Sequence, residues 1–346
     1  MIISRTPFRM SFFGGGTDYP VWFREHGGAV LSTTINKYSY ITCRYLPPFF
    51  EHKSRIVWSM IERVKDHAEI QHPAVRAGLE LLGMTHGIEL HHDGDLPART
   101  GLGSSSAFTV GLLHALHGLK GTRVSKKQLA RDAIYVEQEL LKESVGCQDQ
   151  ILCAYGGLNR VEFTQDGDFL VAPIPLPGER RRALQEHLML FFTGISRTAS
   201  ELAKAQIEAT RFQTATLLAM YEQVDAAIAI LQGSDDLTAF GELLHEAWRL
   251  KRSLTERIST SYIDELYERA RGAGAVGGKL LGAGGGGFLL LFAPPEDHER
   301  VREALGELLH VPFQFENAGS QIIFYDPDSV SSGRDARAPA ATMTGA

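Results

Sequence analysis

The sequence predicts an α+β protein of two domains, and three observations lead there. The chain has 346 residues, room for two domains at roughly 150 residues each. Strand-like and helix-like segments come in runs without strict alternation, which disfavours a doubly wound parallel sheet. Residues 173–182 (PIPLPGERRR) combine prolines, a glycine and a charge run, the composition of a linker.

In the first half, residues 30–44 (VLSTTINKYSYITCR) are rich in β-branched and aromatic side chains with partial alternation, and read as one or two strands. Residues 87–92 (GIELHH) read as a short strand. A Gly/Ser run then leads into an apolar helical stretch from about residue 107 to 119. Residues 125–141 predict a helix: Ser125 with Gln128 three positions on is a capping box, and Leu129, Ala133, Val136 and Leu140 keep the spacing of one buried face. Beyond the linker, residues 187–193 (HLMLFFT) predict a strand, and 199–258 are mostly helical with an interruption near 233–236. The end reads strand, helix, strand, strand over 288–293, 295–309, 312–316 and 321–325. From about residue 327 the composition turns to Ser, Ala, Gly, Pro and Arg, that of a flexible tail.

The formal net charge is −6, whereas a nucleic-acid binder is usually basic. The three cysteines, Cys43, Cys147 and Cys153, are odd in number and lack C-x2-C spacing, so reduced thiols are expected. The first residues lack a signal-peptide layout, and apolar runs such as 288–293 are too short to span a bilayer. A cytoplasmic protein is expected, with a small-molecule partner and neither nucleic acid nor membrane. A homodimer is compatible with the chain, whose sequence does not set an oligomeric state.

Three glycine-rich segments carry the chemistry. The first is Pro97-Ala-Arg-Thr-Gly101-Leu102-Gly103-Ser104-Ser105-Ser106-Ala107, leading into a helix. Small residues there allow close approach to an anion, and the N–H groups and dipole of the helix start favour negative charge. A serine N-cap is the bland alternative. A nucleophile elbow is disfavoured because Pro97 and Gly101 interrupt the strand it needs. The second segment, Gly282-Ala-Gly284-Gly285-Gly-Gly287, matches G-x-G-x-x-G but precedes a strand instead of a helix, so a dinucleotide fingerprint fails. A Walker loop ending on Lys279 fails too, with Ala273 and Leu280 at its other positions. The third segment, from Pro7 through Arg9 to Gly14-Gly15-Gly16-Thr17-Asp18-Tyr19, joins a strand to a turn carrying a carboxylate; alone, such an Asp is more often a turn or cap residue.

Taken in order, these segments resemble the three signature motifs of the GHMP kinases, over residues 5–325. P-x3-GLGSSSA and KLLGAGGGG are the most specific. The GGGTDYP opening, the run FTGISRTA at 192–199 and WRLKR at 248–252 look most like bacterial D-glycero-D-manno-heptose 7-phosphate kinases. The resemblance implies an N-terminal domain over 1–183 like the second domain of ribosomal protein S5, and a ferredoxin-like C-terminal domain with added helices over 184–326. Residues 327–346 would be the tail. ATP would sit between the domains, with Mg²⁺.

By the same resemblance, Pro97, Gly101, Leu102, Gly103, Ser104, Ser105 and Ser106 cradle the ATP phosphates, and Ser105 or a neighbour helps Glu137 hold Mg²⁺. Asp149 matches the catalytic base and Arg9 the cation beside it. Gly15, Gly16, Thr17 and Asp18 match the sugar-binding turn, with Gly284 and Gly285 closing on the site. Where galactokinases carry Glu-His before Thr-Asp-Tyr, this chain has Gly15 and Gly16, which opens space and argues against galactose. Arg197 and Lys251 are candidates for the distal phosphate of the acceptor, as are Arg252, Lys37 and Lys204, although each also reads as an ordinary surface charge. The expected reaction is phosphorylation of the anomeric hydroxyl of a heptose 7-phosphate. The alternatives are a fucokinase- or galactokinase-type enzyme, or a sensor of the same fold, which should have lost Asp149 or Glu137.

Overall fold

The computed structural model describes residues 1–47, 49–195, 204, 207–208 and 212–327. The expected tail therefore lies outside the described residues except for Pro327, and so does Arg197.

Strands β1 (Ile2–Phe13), β2 (Gly28–Tyr45), β3 (Ser54–Val57), β4 (Ile61–Val64), β5 (Ile88–Gly94), β6 (Asn159–Phe163) and β7 (Phe169–Pro173) build a large sheet. Strands β8 (Leu188–Phe192), β9 (Gly277–Leu280), β10 (Phe288–Phe292) and β11 (Leu309–His310) form a second sheet in the order β11-β8-β10-β9. Two last strands, β12 (Phe315–Glu316) and β13 (Gln321–Tyr325), do not stay there. β12 pairs with β2 and β13 with β1, so the chain's end closes the first sheet. The stretch expected as a C-terminal domain over 184–326 thus gives its last two strands to the first sheet.

The helices are α1 (Pro20–His26), α2 (Pro73–Leu81), α3 (Ser104–Lys120), α4 (Lys126–Tyr135), α5 (Gln148–Tyr155), α6 (Gly178–Glu186), α7 (Thr214–Gln232), α8 (Thr238–Leu254), α9 (Ser261–Gly272) and α10 (His298–Ala304). The expected linker is not irregular: residues 169–173 are β7, and the charge run GERRR opens α6. Leu184 is buried there while the arginines stay partly or fully exposed, the pattern of an amphipathic surface helix. Ser125 Oγ does accept from the Gln128 N–H at 3.1 Å. The helix it caps changes character early, however, widening into a π turn over Val136–Leu140, a distortion frequent at functional sites.

The two sheets share one core. Phe12 and Phe13 of β1 both meet Phe240 of α8 edge-on, at 5.6 and 5.2 Å, contacts worth about 0.5–1.5 kcal/mol each beyond their burial. The same cluster runs from Phe8 and Met10 to Leu289 and Leu290. A second cluster packs Ile41, Ile88 and Leu90 on Leu112 and Leu116 of α3. α7 is long and apolar enough to cross a membrane by length and composition. In the fold it buries Leu217, Met220, Val224, Ala227 and Leu231 in the core, the 3–4 spacing of a packed helix face. The architecture is an α+β fold of two sheets, with β1 of the first sheet packed against α8.

Candidate active site

A cavity of about 740 Å³ opens where the glycine-rich segments converge. The N-terminus of α3 points its first turn at this space. Gly103 sits at the N-cap in left-handed geometry (φ +70°). A side chain there would also crowd Arg9 Cγ (3.1 Å) and Asp149 Oδ2 (3.3 Å). Glycine is thus required twice, for the backbone turn and for the close approach of β1 and α5. Gly101, Ser104, Ser105 and Ser106 line the cavity. Leu102 is buried, and its carbonyl receives the Arg9 N–H at 3.0 Å. Pro97 shapes the loop through its carbonyl, which accepts from Thr100 Oγ1 at 2.8 Å. The second glycine segment closes on the first: Gly282 packs on Gly101, and the Thr100 carbonyl accepts the Phe288 N–H at 3.2 Å.

Arg9, on β1, and Asp149, in the first turn of α5, meet in this cleft. Arg9 Nε donates to Oδ1 at 2.6 Å and Nη2 to Oδ2 at 2.7 Å, a bidentate pair. The remaining arm, Nη1, donates to the Gly101 carbonyl at 2.6 Å. Burial alone would disfavour the Arg9 charge, but the charge and hydrogen bonds of Asp149 outweigh it and raise its pKa above the ordinary value. Asp149 keeps 24% of its side chain accessible against 5% for Arg9. The carboxylate is thus the partner that faces the cavity.

Asp18 stands nearby, 2% exposed. Its Oδ1 accepts from the Gly16 N–H at 3.0 Å and its Oδ2 from the Gln148 N–H at 3.4 Å. Burial pushes its pKa up, these N–H bonds pull it down, and Asp149 pushes it up again, with a net rise. Gly15, Gly16 and Asp18 line the cavity. Thr17, expected beside them, is fully buried; its hydroxyl lies 2.8 and 2.9 Å from the Gly14 and Ala29 carbonyls, which share its single proton. It holds the turn instead of facing the cavity, because a hydroxyl has one proton and this one is committed behind the turn.

Lys251 and Lys279 enter from the second sheet's side, 6% and 3% exposed, and both line the cavity. Lys251 is therefore no surface charge: its Nζ donates to the carbonyls of Leu280, at 3.1 Å, and Gly282. Burial and the Arg9 charge lower its pKa to about 7 against the pull of Asp18. Lys279 Nζ donates to the Phe12 carbonyl at 2.6 Å. Burial, Lys251 and Arg9 push its pKa well below the ordinary lysine value. The Walker pattern does not mark Lys279; the signal in the sequence is its place near the end of a short strand, just before the glycine run. Gly284 and Gly285 pack against Ile258, whose carbonyl accepts the Gly285 N–H at 2.9 Å, and the lining residues from that loop are Gly282 and Ala283. Arg252 pairs with Asp264 at 2.9 Å on the outside, and Lys204 is exposed.

Glu137 sits in the π turn, 1% exposed. Its Oε2 accepts from Ser106 Oγ at 2.9 Å and Gln150 Nε2 at 2.5 Å. Among the described residues Oε1 has no partner within hydrogen-bond distance. Burial raises its pKa to about 7, against the pull of the nearby Thr109, Gln150 and Ser106 side chains. The serine that meets Glu137 is Ser106, while Ser105 is exposed, since adjacent positions on a helix point about 100° apart. An orphaned carboxylate oxygen behind a serine hydroxyl, at a helix N-terminus, fits a hard cation bound with phosphates: Mg²⁺ takes one or two carboxylates and draws its other ligands from phosphates and water. The far end of the cavity is aromatic. His72 stacks on Phe108 at 4.4 Å, and Trp58 meets His72 edge-on at 4.9 Å. That end offers flat apolar surface to a base ring.

Fold and site together bring a serine-lined helix N-terminus, a buried carboxylate and an arginine–aspartate pair to one cavity. The family models for the GHMP kinases N terminal domain and the GHMP kinases C terminal match residues 56–157 and 210–311. The chain belongs to the GHMP kinases. It is 27% identical over 329 residues to a D-glycero-alpha-D-manno-heptose 7-phosphate kinase of Campylobacter jejuni, covering 88% of this chain and 93% of that one. It is also 25% identical to a galactokinase of Thermococcus kodakarensis, covering 88% and 92%. Among solved structures, a D-glycero-D-manno-heptose 1-phosphate kinase of Bacteroides thetaiotaomicron shares the fold with a TM-score of 0.76 at 24% identity, over 93% and 98% of the two chains.

Proposed function

We propose that this kinase moves the γ-phosphoryl group of ATP to the anomeric hydroxyl of D-glycero-D-manno-heptose 7-phosphate. The product would be the 1,7-bisphosphate, a precursor of nucleotide-activated heptose for surface polysaccharide. The observation that carries this reading is the Arg9–Asp149 pair set directly under Gly103, at the start of α3. A base and a cation so placed serve an acceptor hydroxyl in line with a phosphate held by the helix N-terminus.

The roles follow from the contacts. The N–H groups of the first turn of α3 and the Ser104–Ser106 hydroxyls receive the phosphates. Glu137, with Ser106, would hold Mg²⁺, which would supply positive charge to the ATP phosphates. Asp149 takes the proton of the attacking hydroxyl. Arg9 orients Asp149 and offsets charge on the group in flight. Asp18 accepts from a sugar hydroxyl across the space that Gly15 and Gly16 leave open. The likeness to the Campylobacter jejuni heptose 7-phosphate kinase over nearly the whole chain supports a phosphorylated heptose as acceptor. An ATP-consumption screen over hexoses, heptoses and their phosphates tests the assignment. Turnover confined to heptose 7-phosphate is expected, and preferred use of an unphosphorylated hexose would overturn it.

A further inference from the structure

We infer that Lys251 and Lys279 form a two-lysine seat for the phosphate already carried by the acceptor, on the second sheet's side of the cavity. Three observations carry this. Both ammonium groups are buried yet line the open cavity. Neither has a carboxylate within ion-pair distance among the described residues, although burying an unpaired cation is costly. And their hydrogen-bonding is incomplete. Each ammonium has three N–H donors; Lys251 gives two to the carbonyls of Leu280 and Gly282, and Lys279 gives one to that of Phe12. The remaining donors suit a ligand with several anionic oxygens better than a neutral hydroxyl, and the charge of such a ligand would hold both groups protonated against the burial that lowers their pKa.

Both lysines belong to the wall of the cavity that holds the Arg9–Asp149 pair: Lys251 is fixed to Gly282, which packs on Gly101, the carbonyl partner of Arg9, and Lys279 is fixed to Phe12, three residues along β1 from Arg9. The inference rests on the acceptor assigned above and adds the residues that select it, including one, Lys279, that the motif reading passed over.

The test compares kcat/KM for heptose 7-phosphate and for unphosphorylated heptose, with saturating Mg²⁺-ATP, in the wild type, Lys279→Met and Lys251→Met. Losing one charged contact is expected to shrink the preference for the phosphorylated sugar about ten- to hundredfold, chiefly through its KM. Lys279→Arg, which keeps the charge, should retain more of the preference than Lys279→Met. Should Lys279→Met fail to fold, as judged by circular dichroism and Mg²⁺-ATP affinity, Lys251→Met and Lys279→Arg carry the comparison. A wild-type preference that survives unchanged in the folded variants overturns the lysine seat and leaves the substrate standing. A wild type indifferent to the phosphate overturns both.

Discussion

Arg9 grips both carboxylate oxygens of Asp149, at 2.6 and 2.7 Å, although 140 residues separate them in the chain. The third arm of the same guanidinium holds the Gly101 carbonyl, so base, cation and phosphate loop are fixed to one another. Removing the base should therefore disturb chemistry more than binding. Asp149→Asn is expected to lower kcat by about 10²–10⁴ while Mg²⁺-ATP affinity, measured by calorimetry, stays within a few-fold. Near-normal turnover would show that Asp149 is not the base.

Arg9→Lys should behave as a severe change despite keeping the charge. A lysine ammonium cannot hold two parallel bonds to Asp149 and a third to Gly101. We expect kcat to fall at least tenfold with a smaller change in the KM for ATP, as steady-state kinetics would resolve. Equal kcat in the two proteins would mean that charge alone, and not the fork, is what the site uses.

Gly146 lies directly against the Asp18 carboxylate, and a methyl group placed there would overlap it. Gly146→Ala is expected to push Asp18 off its bonds to the Gly16 and Gln148 N–H groups. The acceptor KM should rise about tenfold or more, the scale of one lost charged hydrogen bond, while Mg²⁺-ATP affinity is retained. An unchanged acceptor KM would place Asp18 outside the sugar site.

Glu137 gives the fold a pH dependence of definite sign. Its folded pKa, about 7, exceeds the ordinary 4.5, so the native state keeps this proton longer than the unfolded chain. Its contribution is complete below about pH 4.5 and is lost as pH rises through about 7, amounting to about 3 kcal/mol. Glu137→Gln, which stays neutral, should flatten this part of the stability curve in denaturant titrations without nucleotide, and should weaken Mg²⁺-ATP binding. A slope identical to wild type between pH 5 and 8 would contradict the buried carboxylate.

Much of this was legible in the chain. The Ser125 cap, the small-residue loop before α3 and the long strand over 30–44 are local patterns, and local patterns survive folding. What the sequence concealed was long-range. β12 has two residues, too short for any alternation, and its pairing with β2 and that of β13 with β1 depend on the far end of the chain. The π turn over 136–140 breaks the helical period, so Leu140, expected on the buried face with Val136, is 38% exposed. Lys251 also read as an ordinary surface charge because charge ordinarily stays in water, and Lys279 had only a failed Walker pattern to mark it; the fold buries both within reach of the Arg9 charge.

The central claim is that a phosphorylated heptose is the acceptor, and phosphorus NMR of a single reaction tests it most directly. Wild-type enzyme with Mg²⁺-ATP and heptose 7-phosphate should yield ADP and a sugar bearing two phosphomonoesters, one on the anomeric carbon. If ATP is left intact with this acceptor, or is consumed with an unphosphorylated hexose under the same conditions at equal or greater kcat/KM, the claim is contradicted.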